Sequence, residues 1–134
     1  MSIHLESKDL VNPQQMEVAV HGPDGATHLI LCTGVAEVSC TSHESFTFCV
    51  GPQLSRRQFV GAIASGAFSR IQTYNNELGN NMNSELEANL VSIEANYDGA
   101  TKQVKIKAEV SSGITLTKVA ISYQVSILAE LPLY

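Results

Sequence analysis

Basic residues are scarce in this chain. Eight Lys and Arg stand against thirteen Asp and Glu, a net charge of −5 over 134 residues. The eight are scattered, so the concentrated basic face that a phosphate backbone needs is missing, and no nucleic-acid partner is expected. Long apolar runs are missing too. None approaches the ~18 residues that span a bilayer, so no membrane partner is expected either. The opening residues, Met1-Ser2-Ile3-His4-Leu5-Glu6, have no basic n-region and no apolar h-region, which predicts no signal peptide. Cysteine is rare and odd in number, three in all, and that fits a reducing compartment better than a disulfide framework. The cytoplasm, or a particle assembled there, is the expected location.

Catalytic signatures are absent as well. There is no G-x-S-x-G elbow, no phosphate loop and no H-E-x-x-H pair. The acidic residues are spread out, and no two are placed for glycosidase chemistry. No catalytic residue and no cofactor is expected from these patterns.

What is present describes a folded domain. With 44% hydrophobic and 16% charged residues, the chain is too apolar for a disordered segment and long enough for one self-standing core. No linker, repeat or low-complexity tract divides it, so residues 1–134 read as a single domain.

Most of the chain alternates with period two. Met16, Val18 and Val20 alternate with Glu17, Ala19 and His21, and a second apolar run returns from His28 to Thr33. The Gly22-Pro23-Asp24-Gly25 turn between them predicts a hairpin. Gly34 reads as a bulge or kink inside a longer strand that continues toward Cys40. Phe46 to Val50 is another strand. Matching its apolar face (Phe46, Phe48, Val50) to that of Ala36, Val38 and Cys40 turns Cys49 the other way, which argues against a Cys40–Cys49 disulfide. Val91 to Tyr97 and Val104 to Val110 form a second hairpin around Asp98-Gly99. Thr117 to Leu131 is an over-long strand, with Tyr123, Val125 and Ile127 on one face and Lys118, Ser122 and Gln124 on the other.

One stretch breaks this rhythm. Leu54 to Gly79 reads as the only long helix. Ser55-Arg56-Arg57-Gln58 has capping-box spacing, Leu54 and Phe59 occupy the staple positions, and Gly79 is a natural stop. Phe59, Ile63, Ala67, Ile71 (or Arg70), Tyr74 and Leu78 recur at helical spacing. The fold expected is therefore α+β: an antiparallel sheet, as one curved sheet or a two-sheet sandwich or barrel, against one central helix at about residues 55–78.

Four sets of residues could carry chemistry. Cys32, Cys40 and Cys49 sit in strands with no feature that would lower a thiol pKa, and read as small core residues. His21, His28, Cys32, Cys40 and His43 offer zinc-compatible atoms without a complete ligand set, so no metal is assigned. Arg56 and Arg57 stand in the first helical turn, where the macrodipole disfavours cations. With Gln58 they form an anion- or ligand-binding candidate, against solvent exposure or ion pairing as the plainer reading. Gly61, Ala62, Ser65, Gly66 and Ser69 give the helix a small-residue side that asks for a close neighbour. Gly61, Ser65, Tyr123, Val125 and Ile127 are the candidate oligomer interface.

The segment Val60 to Phe68 resembles the core helix of OsmC-type thiol peroxidases, over less than a tenth of the chain. Gly66 or Ala67 stands where that family keeps its reactive cysteine, so the resemblance implies a helix and not the activity. Two functional readings follow. One is a non-enzymatic structural or partner-binding subunit acting as a homo-oligomer, such as a tube or tail component of a phage or injection particle, by analogy of fold. The other is a small hotdog-like enzyme or ligand binder, its sheet wrapped round the helix and an anionic ligand at the helix N-terminus.

Overall fold

The computed structural model describes residues 2–20, 27–39, 43–73, 88–112 and 116–130. In chain order the elements are β1 (Ser2–His4), a 3-10 turn (Ser7–Asp9), β2 (Leu10–Ala19), β3 (Thr27–Val38), β4 (His43–Val50), β5 (Phe59–Thr73), β6 (Ala88–Asp98), β7 (Gln103–Ser112) and β8 (Leu116–Glu130). They form two four-stranded sheets, ordered β1-β4-β7-β6 and β2-β3-β8-β5. All neighbours are antiparallel except the short β1, which runs parallel to β4. The sheets stack through one apolar layer, with β5 lying over β6.

The central helix does not form. Among the described residues there is no α-helix, and residues 59–73 of the expected helix are strand β5; residues 74–78 lie outside the described residues. The architecture is a β-sandwich, and the α+β expectation is corrected to all-β. The local start signal was nevertheless real. The Ser55 backbone N–H donates to Gln58 Oε1 at 2.8 Å, and the Gln58 N–H donates to Ser55 Oγ at 3.3 Å, a reciprocal pair of capping-box type. One turn closes there, with Phe59 N–H donating to Ser55 O at 3.2 Å, and then the chain extends.

Propagation fails because the following residues are poor helix formers and good sheet partners. Gly61 and Gly66 would each cost a helix about 1 kcal/mol against alanine, and Val60 and Ile63 are stiff at χ1. As a strand, the same segment pairs with β8 from Phe59↔Ala129 to Thr73↔Leu116. It then turns Ala62, Ala64 and Phe68 toward the core. Gly66 is small for a reason: a Cβ there would stand 3.1 Å from Ile93 Cδ1 of β6 and 3.2 Å from Ile121 Cγ2 of β8. Of the small residues singled out, Gly66 meets a close neighbour, whereas Gly61 meets none within 4 Å.

The alternations are otherwise honoured. Phe46, Phe48 and Val50 of β4 and Val104, Ile106, Ala108 and Val110 of β7 are buried from one sheet. Ile30, Cys32, Ala36 and Val38 of β3 and Val119 to Ala129 on alternate positions of β8 are buried from the other. Ala36 and Val38 therefore meet the β4 phenylalanines from the opposite sheet, not as partners in register. Gly34 is no bulge. The β3–β8 register runs unbroken through Gly34↔Tyr123, because the tyrosine ring lies over the glycine.

Asp98 anchors the β6–β7 turn. Its Oδ2 accepts from Thr101 Oγ1 at 2.8 Å and from Thr101 N at 3.3 Å, with Lys105 Nζ 3.7 Å away. These contacts, the Thr101 hydroxyl first, hold its pKa below the ordinary carboxylate value of 3.8. A lowered folded pKa adds stability that is complete above the unfolded value and fades as pH falls below it. Asp98→Asn is therefore expected to melt lower than wild type at neutral pH. The two melting temperatures should converge as a thermal titration passes below about pH 3.8.

Candidate interaction surface

The two outer faces of the sandwich differ in kind. On the β4-β7-β6 side, Glu94, Lys105, Lys107 and Glu109 point outward, opposite the buried alternation of β7. Lys105 pairs with Asp98 at 3.7 Å, and His43 Nε2 lies 3.7 Å from Glu109 Oε2. That face is a solvated surface, of the sort that contributes little to stability.

The outer face of β2-β3-β8-β5 carries no charge over its central rows. Directly opposed residues share a face. The register thus sets Val18, Leu29, Leu128 and Gly61 in one row, and Met16, Leu31, Ser126 and Ile63 in the next. Gln14, Thr33, Gln124 and Ser65 follow, then Val35, Ser122 and Ala67. Charges return only at the ends. Glu130 closes one, and at the other Glu37 is held by Arg70 at 3.3 Å and Lys118 at 3.8 Å.

β2 is turned the wrong way for a strand that serves only its own core. Gln15 and Glu17 oppose Cys32 and Ile30, which face inward, while Met16 and Val18 oppose Leu31 and Leu29, which face out. Met16 is 60% exposed, Ile63 76%, Val18 45% and Leu128 39%. An apolar set so arranged across a sheet, flanked by Gln, Ser and Thr, has the composition of a contact surface.

The residues singled out from sequence scatter. Arg56 lies over the Tyr97 ring, 5.5 Å from its centroid, and the Tyr97 hydroxyl donates to Leu54 O at 2.7 Å. Arg57 is exposed, and Gln58 is spent on the Ser55 turn and on accepting Glu130 N–H at its carbonyl, 2.8 Å. With no helix behind them, Arg56, Arg57 and Gln58 lose the macrodipole on which an anion site there depended. Gly61 and Ser65 do lie on the uncharged outer face. Tyr123, Val125 and Ile127 lie in the chain's own core at 4%, 0% and 0% exposure.

Nor do the soft ligands converge. His28 Nδ1 stands 3.1 Å from Glu17 Oε2, off the line a hydrogen bond needs. His43 is at the far end of β4, and His21 and Cys40 lie outside the described residues. Among the described residues no three His, Cys, Asp or Glu are placed to hold a metal. Cys32 and Cys49 are free thiols, and burial pushes Cys32 up to about 11, away from thiolate chemistry. Cys49 meets Thr101 Oγ1 at 3.7 Å.

A hollow of about 490 Å³ sits beside β1 and the 3-10 turn and is lined by His4, Glu6, Asp9, Glu37 and Lys118 among others. Its groups are engaged with one another or with the fold. His4 Nδ1 is 3.0 Å from Thr47 Oγ1, Asp9 accepts from Glu6 N–H at 3.0 Å, and Glu37 is held as above. Among the described residues no helix is long and apolar enough to cross a membrane. No protein-family model, curated protein or solved structure matches the chain.

The sequence carries a signal for this surface. The run His28-Leu29-Ile30-Leu31-Cys32 is apolar on both alternations, the mark of a strand covered on two sides. Its outward residues Leu29 and Leu31 pair with Val18 and Met16 on the outer face.

Proposed function

We propose that this chain is a non-enzymatic structural subunit that works as a homo-oligomer through the outer face of the β2-β3-β8-β5 sheet. The observation that carries this is the reversed alternation of β2, which turns Met16 and Val18 outward onto an uncharged, partly apolar sheet face. A monomer gains nothing by presenting those residues to water, whereas a subunit buries them on assembly. A many-copy particle, such as a phage or injection tube or tail, is a setting that suits an acidic β-sandwich of this size. The hotdog-like alternative required a sheet wrapped about a helix, and that helix is β5.

Sedimentation velocity and light scattering on the purified chain test the proposal. A dimer or larger species at micromolar concentration is the expected result. A monomer persisting to the highest attainable concentration would remove it.

A further inference from the structure

We infer that two copies of this chain stack outer face to outer face about a two-fold axis, with Ile63 of each copy seated in a small-residue hollow of the other. This inference rests on the homo-oligomer reading above and names the contact within it.

Ile63 is the most exposed large apolar side chain among the described residues, at 76%. It stands on β5 opposite Ser126, so nothing large shields it from its own β8 side. One to two rows along the same face lies a hollow of about 320 Å³, bounded by Thr33, Ser65, Ala67, Ser122 and Gln124. Thr33, Ser65, Ala67 and Ser122 at its rim are short side chains, and Gln124 is the one longer side chain among these five. Beside Ile63, a Cβ built on Gly61 would meet nothing within 4 Å, so its own chain does not use that space either.

A protrusion and a recess side by side on one surface meet the requirement of an isologous contact. Residue i of one copy touches j of the other, and j touches i, so one knob and one hollow per copy satisfy both halves at once. A second copy therefore fits this face without any additional complementary surface.

Area and charge agree. Four strands at ~4.8 Å spacing, over the nine residues Thr27 to Val35 at ~3.4 Å per residue, give a face of roughly 590 Å² per copy. Two such faces exceed the ~1,000 Å² that separates specific contacts from casual ones. Each copy carries a net charge of −5, so close approach of acidic surfaces is penalised, and a face whose central rows carry no charge lets two copies meet without that repulsion.

The test uses three variants of the whole chain, all on outer-face positions, with far-UV circular dichroism and melting curves to show that each folds as wild type does. Ile63→Asp is expected to weaken self-association at least tenfold, because a carboxylate would be buried against an apolar wall. Ser122→Tyr fills the hollow and should do the same. Ile63→Ala removes the knob and should weaken association less. The deciding measurement is mixing: a Ser122→Tyr chain with an Ile63→Ala chain should form heterodimers more tightly than the Ser122→Tyr chain associates with itself. In the mixed pair, the filled hollow meets the missing knob and the intact knob meets the open hollow.

Wild-type chain that is monomeric throughout overturns the homo-oligomer reading and this inference with it. Wild-type oligomer unaffected by Ile63→Asp leaves that reading standing and overturns the inference alone. Loss in both single variants without recovery on mixing overturns the knob-and-hollow arrangement.

Discussion

Phe48→Ala is expected to lower stability by about 3–5 kcal/mol, the range for truncating a fully buried aromatic side chain. Phe48 is 1% exposed at the centre of the layer between the sheets. It sits 6.4 Å from the Phe46 ring and 4.9 Å from the Tyr123 ring, the latter tilted at 55°. Tyr123 comes from β8 of the opposite sheet, so Phe48 is one of the side chains that hold the two sheets together. The aromatic pair adds about 0.5–1.5 kcal/mol beyond the buried area, and a close-packed interior collapses only partly around the void. Urea unfolding of wild type and variant measures the difference. A loss under about 1 kcal/mol would mean the core is not closed at this point.

Gly34→Val is the second large effect, and its cause is excess volume. A Cβ at position 34 would stand 2.5 Å from the Tyr123 hydroxyl oxygen and 2.8 Å from Cζ of the same ring. The ring cannot withdraw easily, because its other side packs on Phe48. Overpacking of this kind costs roughly 1–3 kcal/mol, and the upper half of that range is expected here. The partner experiment is Tyr123→Leu, which shortens the obstructing side chain. If ring and new methyl groups compete for one space, the double variant should be more stable than the sum of the single losses predicts, by about 1–2 kcal/mol. Additive losses would mean that the Gly34 requirement lies in the backbone instead.

Gly34 also shows what a single sequence leaves open. A lone glycine in a strand pattern marks either a bulge or a close approach, and nothing local separates the two. The ring that decides the matter lies 89 positions away in the chain, at Tyr123 (123 − 34). The β5 segment failed differently. A spacing of four residues belongs to one face of a helix and equally to one face of a strand. Phe59, Ile63 and Ala67 fit both, and a true Ser55–Gln58 capping pair tipped the balance toward helix. The pair closes one turn, after which β8's need for a partner along its second edge decides.

The hairpins were legible because their signals are short-range. Met16 to Val20 against His28 to Thr33, and Val91 to Tyr97 against Val104 to Val110, need only alternation and a turn. Which face of a strand is inward is a different matter. On β8 both alternations avoid dense charge, so Tyr123, Val125 and Ile127 served equally well as surface or as core. Only pairing with β3 and β5 on both edges places them inside. Gly61 and Ser65 were legible as small residues wanting a neighbour, and they do lie on the outer face. Ile63 recurs at helical spacing in the sequence and stands 76% exposed on that face as part of a strand.

The placement of β8 between β3 and β5 has a consequence for biosynthesis. Both of those strands precede β8 in the chain and both pair with it, while neither pairs with the other. On a ribosome they emerge first and wait with unsatisfied edges until Leu116 to Glu130 has left the exit tunnel. Vectorial synthesis therefore cannot complete this sheet piecemeal. Shielding of the nascent β3 and β5 edges, by a holding chaperone or by rapid elongation through the last strand, would favour the folded chain over edge-paired aggregates.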